Sequence, residues 1–419
     1  MTRTQYYIDL EKKYMANIYS SLPVVLDRGS GIYVWDVDRK RYIDCLAGYS
    51  SLALGHNHPR LTLTAYTQMR LGISVVSRSF REKDLILFAE KICQQFGAER
   101  MLPMNSGAEA VETAIKVARK WGMVKKGIPD GDQKIIVCDG NFHGRTTTII
   151  SFSPHESYRK GFGPLTPGFI RIPYNDAQRL ETLFTGAGGD DIVAFLVEPV
   201  QGEGGMNIPS LIHPNYFAEV RQICSDHNVL LILDEIQTGL GRTGKDLAEE
   251  HWGISADITL LGKALGGGLL PISVVLDRKG GILEVLQPGD HGSTFGGNPL
   301  ACRVAMETLD IMQENGIAQH SFRMGEMMRA KIKDLHSPFI REVRGLGLMT
   351  GVELTIPARP VCEKLMAEGV LAYYTSQAHS EVKRQNILRL TPPLIIKEEG
   401  VDYVVNAAGK VLREITDPT

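Results

Sequence analysis

An acid, an amine and a helix start are the chemically telling features of this chain. Asp234 ends the apolar run "VLLILDE", Lys263 follows "ITLLG", and Ser106 and Gly107 open "MNSGAEAVETAIKVARKWG". An acid at the end of a buried strand is costly to desolvate. It is either a capping or satisfied core carboxylate, or the partner of a cation held in a site. Lys263, enclosed by Gly262 and by Gly266 to Gly268, is either a surface residue or a partly buried amine. A desolvated amine has a lowered pKa and can form a Schiff base. Ser106 and Glu109 make an S-x-x-E capping-box pattern. That pattern places Ser106 and Gly107 at a helix N-terminus, where free N–H groups and the helix dipole attract phosphate.

A nucleotide site is the first competitor. "GLGRTGK" (residues 239–245) is close to a phosphate loop, but a working loop needs Ser or Thr after the lysine to hold magnesium. Here Asp246 follows Lys245, so the stretch reads as a turn-rich loop. An acid for a ring nitrogen, a lysine for an aldehyde and a helix N-terminus for a phosphate together describe pyridoxal phosphate. The acid keeps the pyridine nitrogen protonated, and the protonated ring acts as an electron sink when a bond at Cα breaks.

These residues need a scaffold that brings strand ends together. The runs "KIIVC", "IVAFLVEP", "VLLILDE" and "ITLLG" are apolar with little alternation, as strands buried on both faces of a parallel sheet are. Ligands of such sheets bind beyond the carboxyl ends of the strands. The separation of Asp234 and Lys263 suits one further helix and strand, which places both at one edge of the sheet. Before this region, "PVVLDR" and "GIYVWDVDRKRYIDC" read as short strands with turns at Gly29–Gly31 and Asp38–Lys40. After Pro299 a long helical pattern begins, followed by a smaller α+β unit and a terminal helix after Lys397. The expected class is α/β.

Composition sets bounds on function. The chain has 419 residues and a formal net charge of −2, so no bulk basic field recruits nucleic acid or acidic membranes. Six scattered cysteines show no metal spacing and read as reduced, cytosolic thiols. The opening "MTRTQYYIDLEKKY" fits neither a signal nor a transit peptide, and no apolar run approaches the ~18 residues of a membrane span.

The motifs "LGHNHP", "MNSGAEAVETAIKVARK", "GNFHGRT", "VEPVQGEGG", "LILDEIQTGLGRTG", "LLGKALGGG" and "HGSTFGGNPLACRVA" resemble class III, fold-type I aminotransferases over essentially the whole chain. Within that class, "LPMNSGAEA", "GFGPLTPGF", "IPYND" and "LRLTPPLII" are most similar to the ornithine δ-aminotransferases. The resemblance implies a large cofactor-binding domain at residues 56–300, built on a mixed, mostly parallel sheet flanked by helices. It also implies a smaller α+β domain at residues 301–419, to which residues 1–55 contribute.

It implies roles as well. Lys263 would carry the Schiff base and shuttle the proton. Asp234 would pair with the pyridinium nitrogen, Gln237 with the ring hydroxyl, and Phe142 would stack on the ring. Ser106, Gly107 and Ala108 would bind the phosphate, joined by Thr294 from the other subunit of a homodimer with shared sites. Arg389 would grip the 2-oxoglutarate α-carboxylate, with Glu203 masking it while the diamine is bound. Arg145 and Tyr49 would hold the α-carboxylate and α-amine of ornithine. One position departs: Arg81 stands where the resembled enzymes usually carry an aromatic ring at the substrate mouth. That keeps N-acetylornithine, 4-aminobutyrate and lysine open as alternative donors. A racemase needs no second carboxylate clamp, and the retention of both Glu203 and Arg389 argues against one.

Overall fold

The computed structural model describes residues 2–209, 213–375 and 386–415. The four apolar runs form the centre of a seven-stranded sheet, as Lys134–Cys138, Ile192–Val197, Leu230–Asp234 and Ile258–Leu261. Phe169–Ile172 closes one side, and all five strands are parallel. Burial on both faces explains the missing alternation. Ile135, Val137, Leu230 and Ile232 pack with Ala110, Ala114, Ile115 and Trp121 of the helix Gly107–Lys126. Ile136, Cys138, Leu231 and Leu233 pack on the opposite face with Phe217 and Val220 of the helix Tyr216–Asp226.

Two further strands make the sheet mixed. Ser273–Asp277 runs antiparallel to Ile258–Leu261 and to Arg100–Met104, which forms the other edge. Pro103 lies inside that edge strand, where a missing N–H costs no ladder bond on the open side. The registers Asp234 with Leu260, Val274 with Leu261 and Ser273 with Met104 place Asp234, Lys263 and Asn105-Ser106 at one edge. The anticipated order of an α/β chain with a mostly parallel sheet is therefore present. The connection between Asp234 and Lys263 differs in detail. It holds a short 3-10 helix, Ala248–Trp252, in place of a full helix, because residues 235–247 are spent on the turns of "EIQTGLGRTGKDL".

Two four-stranded sheets lie outside the large one. Leu26–Ser30, Tyr33–Asp36 and Arg41–Asp44 form an antiparallel meander. Its first strand is displaced from the "PVVLDR" reading and is mostly exposed. Val370–Leu371 adds to it in parallel, which ties the first residues of the chain to the last third. The other sheet holds Ile340–Leu346, Met349–Leu354, Ile387–Leu390 and Tyr373–Thr375, all antiparallel. Arg389 sits in this sheet, opposite Gly351 on one side and Tyr373 on the other. The expected helices after Pro299 and Lys397 are Pro299–Glu314 and Glu398–Glu414. Among the described residues, no helix is long and apolar enough to cross a membrane.

Candidate active site

The edge of the large sheet opens into a cavity of about 200 Å³. Gly107, Ala108, Phe142, Asp234, Gln237 and Lys263 all line it. The capping box forms as the sequence implies: Ser106 Oγ accepts from Glu109 N at 3.2 Å, and the Glu109 carboxylate accepts from Ser106 N at 2.9 Å. With its hydroxyl used in the cap, Ser106 lines an adjoining cavity of about 360 Å³ together with Asn105, Gly107 and Lys263. The helix thus presents the start of its first turn to the site, where its unpaired N–H groups suit an anion. A side chain at Gly107 would press its Cβ to 3.1 Å from Ile236, so Ile236 would have to shift by a few tenths of an ångström.

Asp234 is buried at the end of its strand. Its Oδ1 accepts from Ile236 N at 3.1 Å, and its Oδ2 meets His143 Nδ1 at 2.6 Å. Burial alone would lower the His143 pKa, but the hydrogen bond and charge of Asp234 outweigh it and raise it. Glu198 stands nearby at the end of the strand Ile192–Val197 and accepts from Phe142 N at 3.0 Å. Burial pushes its carboxyl up to about 8, against the opposing charge of His143, so near neutral pH the protonated form prevails. Neither His143 nor Glu198 was singled out in the sequence. The signal for Glu198 was its position: like Asp234, it is an acid that directly ends a buried strand.

Lys263 follows its strand in a left-handed backbone conformation, φ 41°. Such a geometry is costly for a residue with a side chain, and it persists where the surroundings hold it. Burial lowers the Lys263 pKa, and the charges of Glu203 and Asp234 only partly oppose it. More of the amine is therefore neutral, and nucleophilic, than for a free lysine. Gln237 donates to Ser50 Oγ at 3.3 Å. A Cβ on Gly202 would lie 2.0 Å from the Gln237 carboxamide oxygen, so a side chain there would displace the Gln237 amide.

A third cavity, about 790 Å³, shares Phe142 and Lys263 with the first. Tyr49, Arg145, Glu203 and Arg389 line it. Arg389 is 1% exposed and is bridged to Glu203, while its Nε and Nη2 have no hydrogen-bond partner among the described residues. Burial would raise the Glu203 carboxyl, but the Arg389 guanidinium outweighs it and holds the carboxyl below its ordinary range. Tyr49 lies 5.8 Å from Arg389, ring centroid to Cζ, and its φ of 54° belongs to a run of left-handed residues from Ala47 to Ser50. Thr391 ties this run to the Arg389 strand by donating from its backbone N to Cys45 O at 2.7 Å.

Two sequence candidates line none of the three cavities. Thr294 is exposed, next to Ser293, whose Oγ accepts from Asn105 Nδ2 at 3.0 Å. Arg81 is likewise exposed; it precedes Glu82, which caps the helix Lys83–Phe96.

The family model for aminotransferase class-III matches residues 14–412. The chain belongs to the class III aminotransferases. It is a transaminase of fold-type I, and its cofactor is pyridoxal phosphate. The chain is 43% identical to ornithine aminotransferase of Brevibacillus brevis over 412 residues, covering 98% of this chain and 99% of that one. Its fold is similar to that of ornithine aminotransferase from Toxoplasma gondii ME49, with a TM-score of 0.92, 38% identity, and 99% and 96% of the two chains covered. It is also similar to acetylornithine aminotransferase from Elizabethkingia anophelis, with a TM-score of 0.87, 40% identity, and 99% and 100% covered. The residues present fit that cofactor's chemistry: a helix N-terminus that suits an anion, a buried carboxylate and a buried amine line adjoining space.

Proposed function

We propose that this chain transfers the δ-amino group of ornithine to 2-oxoglutarate. The products are glutamate and glutamate semialdehyde, which closes to pyrroline-5-carboxylate. The observation that carries this reading is the unequal state of the two guanidinium groups in the larger cavity. Arg389 is buried and masked by Glu203. Arg145 is exposed and has no ion pair among the described residues. A diamino acid whose carboxylate docks at Arg145, with Tyr49 beside its α-amine, presents its far amine to Lys263. 2-Oxoglutarate instead needs Glu203 to swing away, after which Arg389 can bind its α-carboxylate in a fork.

Pyridoxal phosphate, when bound, supplies the electron sink for the proton shift. Gly107 and Ala108, with Ser106, would hold its phosphate, and Phe142 would pack on its ring. Gln237 would face the ring hydroxyl and Asp234 the ring nitrogen. Lys263 would supply the amine for the aldehyde and the group that takes up and returns a proton. Burial keeps that amine ready for both tasks.

The reading extends to assembly and location. A homodimer with Thr294 reaching the partner's phosphate fits the exposure of Thr294 on its own chain, where it lines none of the three cavities. Tyr66, Met69, Leu71, Phe80 and Phe295 are also exposed, large apolar side chains that a partner copy would cover. A cytosolic place is supported by six unpaired cysteines, five of them buried. We also read residues 56–300 as the large domain and residues 1–55 with 301–419 as the small one.

The test is a panel of amino donors with 2-oxoglutarate, with glutamate and pyrroline-5-carboxylate read separately. Ornithine is expected to lead and to yield both. A lead by an acylated or dicarboxylic donor, abolished by Arg81→Tyr, would overturn the assignment and bring Arg81 into the site.

Glu203→Ala is expected to shift partner choice more than chemistry. With Arg389 unmasked, any α-amino acid can dock there and present its α-amine. The ratio of the glutamate half-reaction rate to the ornithine half-reaction rate should rise by roughly tenfold or more, the scale of losing one charge-assisted bond. Stopped-flow spectra of the two half-reactions measure it; an unmoved ratio removes the gate.

A further inference from the structure

Arg145 is held in an unusual way. Arg389, the other guanidinium lining the larger cavity, is fixed by the Glu203 carboxylate. Arg145 makes no ion pair and no hydrogen bond among the described residues, yet it is sandwiched. Its guanidinium carbon lies 3.6 Å from the ring centroid of Tyr158 and 5.7 Å from that of Phe142. Tyr158 is half-buried in the short helix Glu156–Arg159, and the His155 ring packs against it at 4.7 Å. Phe142 is fixed from behind by the Glu198 carboxylate on its backbone N–H.

We propose that Tyr158 is a positioning residue for donor selectivity: its ring face holds the Arg145 guanidinium flat in the cavity mouth, with its N–H edge free for a substrate carboxylate. A guanidinium over an aromatic face is attracted by the ring quadrupole, and the contact consumes none of its five in-plane donors. A carboxylate partner would hold it as firmly but would cancel the charge the substrate needs. The stack therefore lowers the entropy cost of ordering a long side chain without spending its binding capacity. The hydroxyl of Tyr158 has no part in this; the ring face does the holding.

This inference rests on Arg145 being the carboxylate receptor, so the experiment separates the two claims. The holoenzyme is mixed with ornithine or with 1,4-diaminobutane, which has the same chain of carbons between amines and no carboxylate. Loss of the cofactor's visible band reports each half-reaction, and rate against concentration separates half-saturation from the limiting rate. Wild type should prefer ornithine. In Tyr158→Leu the preference should fall roughly 5- to 30-fold, the range of a partly desolvated cation–π contact, and the fall should sit in half-saturation for ornithine. Tyr158→Phe should restore it to within about twofold. In an Arg145→Met background, Tyr158→Leu should cost no further preference. Two outcomes overturn the role of Tyr158: an unchanged preference in Tyr158→Leu, or an equal loss in Tyr158→Phe and Tyr158→Leu. A wild type that does not prefer ornithine over the diamine overturns instead the reading of Arg145 beneath it.

Discussion

Lys263→Ala is expected to reduce multiple-turnover transamination by roughly 10⁴-fold or more, the scale of removing a nucleophile that also moves the proton. Among the described residues, no other amine lines the cavity it shares with Asp234 and Phe142. The cofactor should still bind, because the helix start at Gly107, Ala108 at its first turn and the Asp234 carboxylate are untouched. Its content, measured after denaturing the desalted protein, is expected to stay within a few-fold of wild type. Appreciable steady turnover in this variant would take Lys263 out of the mechanism.

Asp234→Asn is expected to lower the limiting rate by about 10²- to 10³-fold, the usual loss when a preorganised charge at the reacting centre is removed. The amide has the same shape and can still accept from Ile236 N through its carbonyl oxygen. It cannot hold a protonated ring nitrogen, and it removes the anion facing His143. A pH-dependent stability change should accompany the loss. The His143 pKa is raised in the folded protein. Its proton therefore stabilises the fold in full below the ordinary histidine value, about 6.5. That contribution is lost as pH rises through the raised value. The variant lacks it, so the gap between the two melting temperatures should be widest on the acid side and should close with rising pH. A near-normal rate would mean that Asp234 does not face the ring nitrogen.

The parts of this account that were legible in the sequence are those where one physical demand acts alone. "KIIVC" became a strand over those very residues, and "ITLLG" over all but its glycine, because burial on both faces leaves only apolar residues. The Ser106–Glu109 box was legible because capping is local. Ser273–Asp277 was not marked as a strand, since its run follows a glycine-rich turn and its antiparallel direction is set by partners distant in sequence. Arg100–Met104 was hidden by Pro103, which only an edge position tolerates. The gap between Asp234 and Lys263 held no full helix, because turn geometry around Gly239, Gly241 and Gly244 consumed the length.

The site divides in the same way. Asp234 and Lys263 announced themselves as polar residues where apolar strands stop. His143 lies inside "GNFHGRT", where nothing local says that its ring turns towards an acid 91 positions later. The masking of Arg389 by Glu203 is likewise a meeting of residues 186 positions apart. The Tyr158–Arg145 stack is closer in sequence, but it carries no periodicity and no motif. Each of these needed the tertiary arrangement to bring the partners together.

The central claim is that the amine farthest from the ornithine carboxylate is the one transferred. Ornithine labelled with ¹⁵N at the δ position, incubated with the holoenzyme and unlabelled 2-oxoglutarate, tests it directly by mass analysis of the glutamate formed. The account predicts that the glutamate carries the label in nearly every molecule, and that α-labelled ornithine leaves it unlabelled. Unlabelled glutamate from the δ-labelled donor would place the α-amine at Lys263 and contradict the assigned roles of Arg145 and Glu203 together.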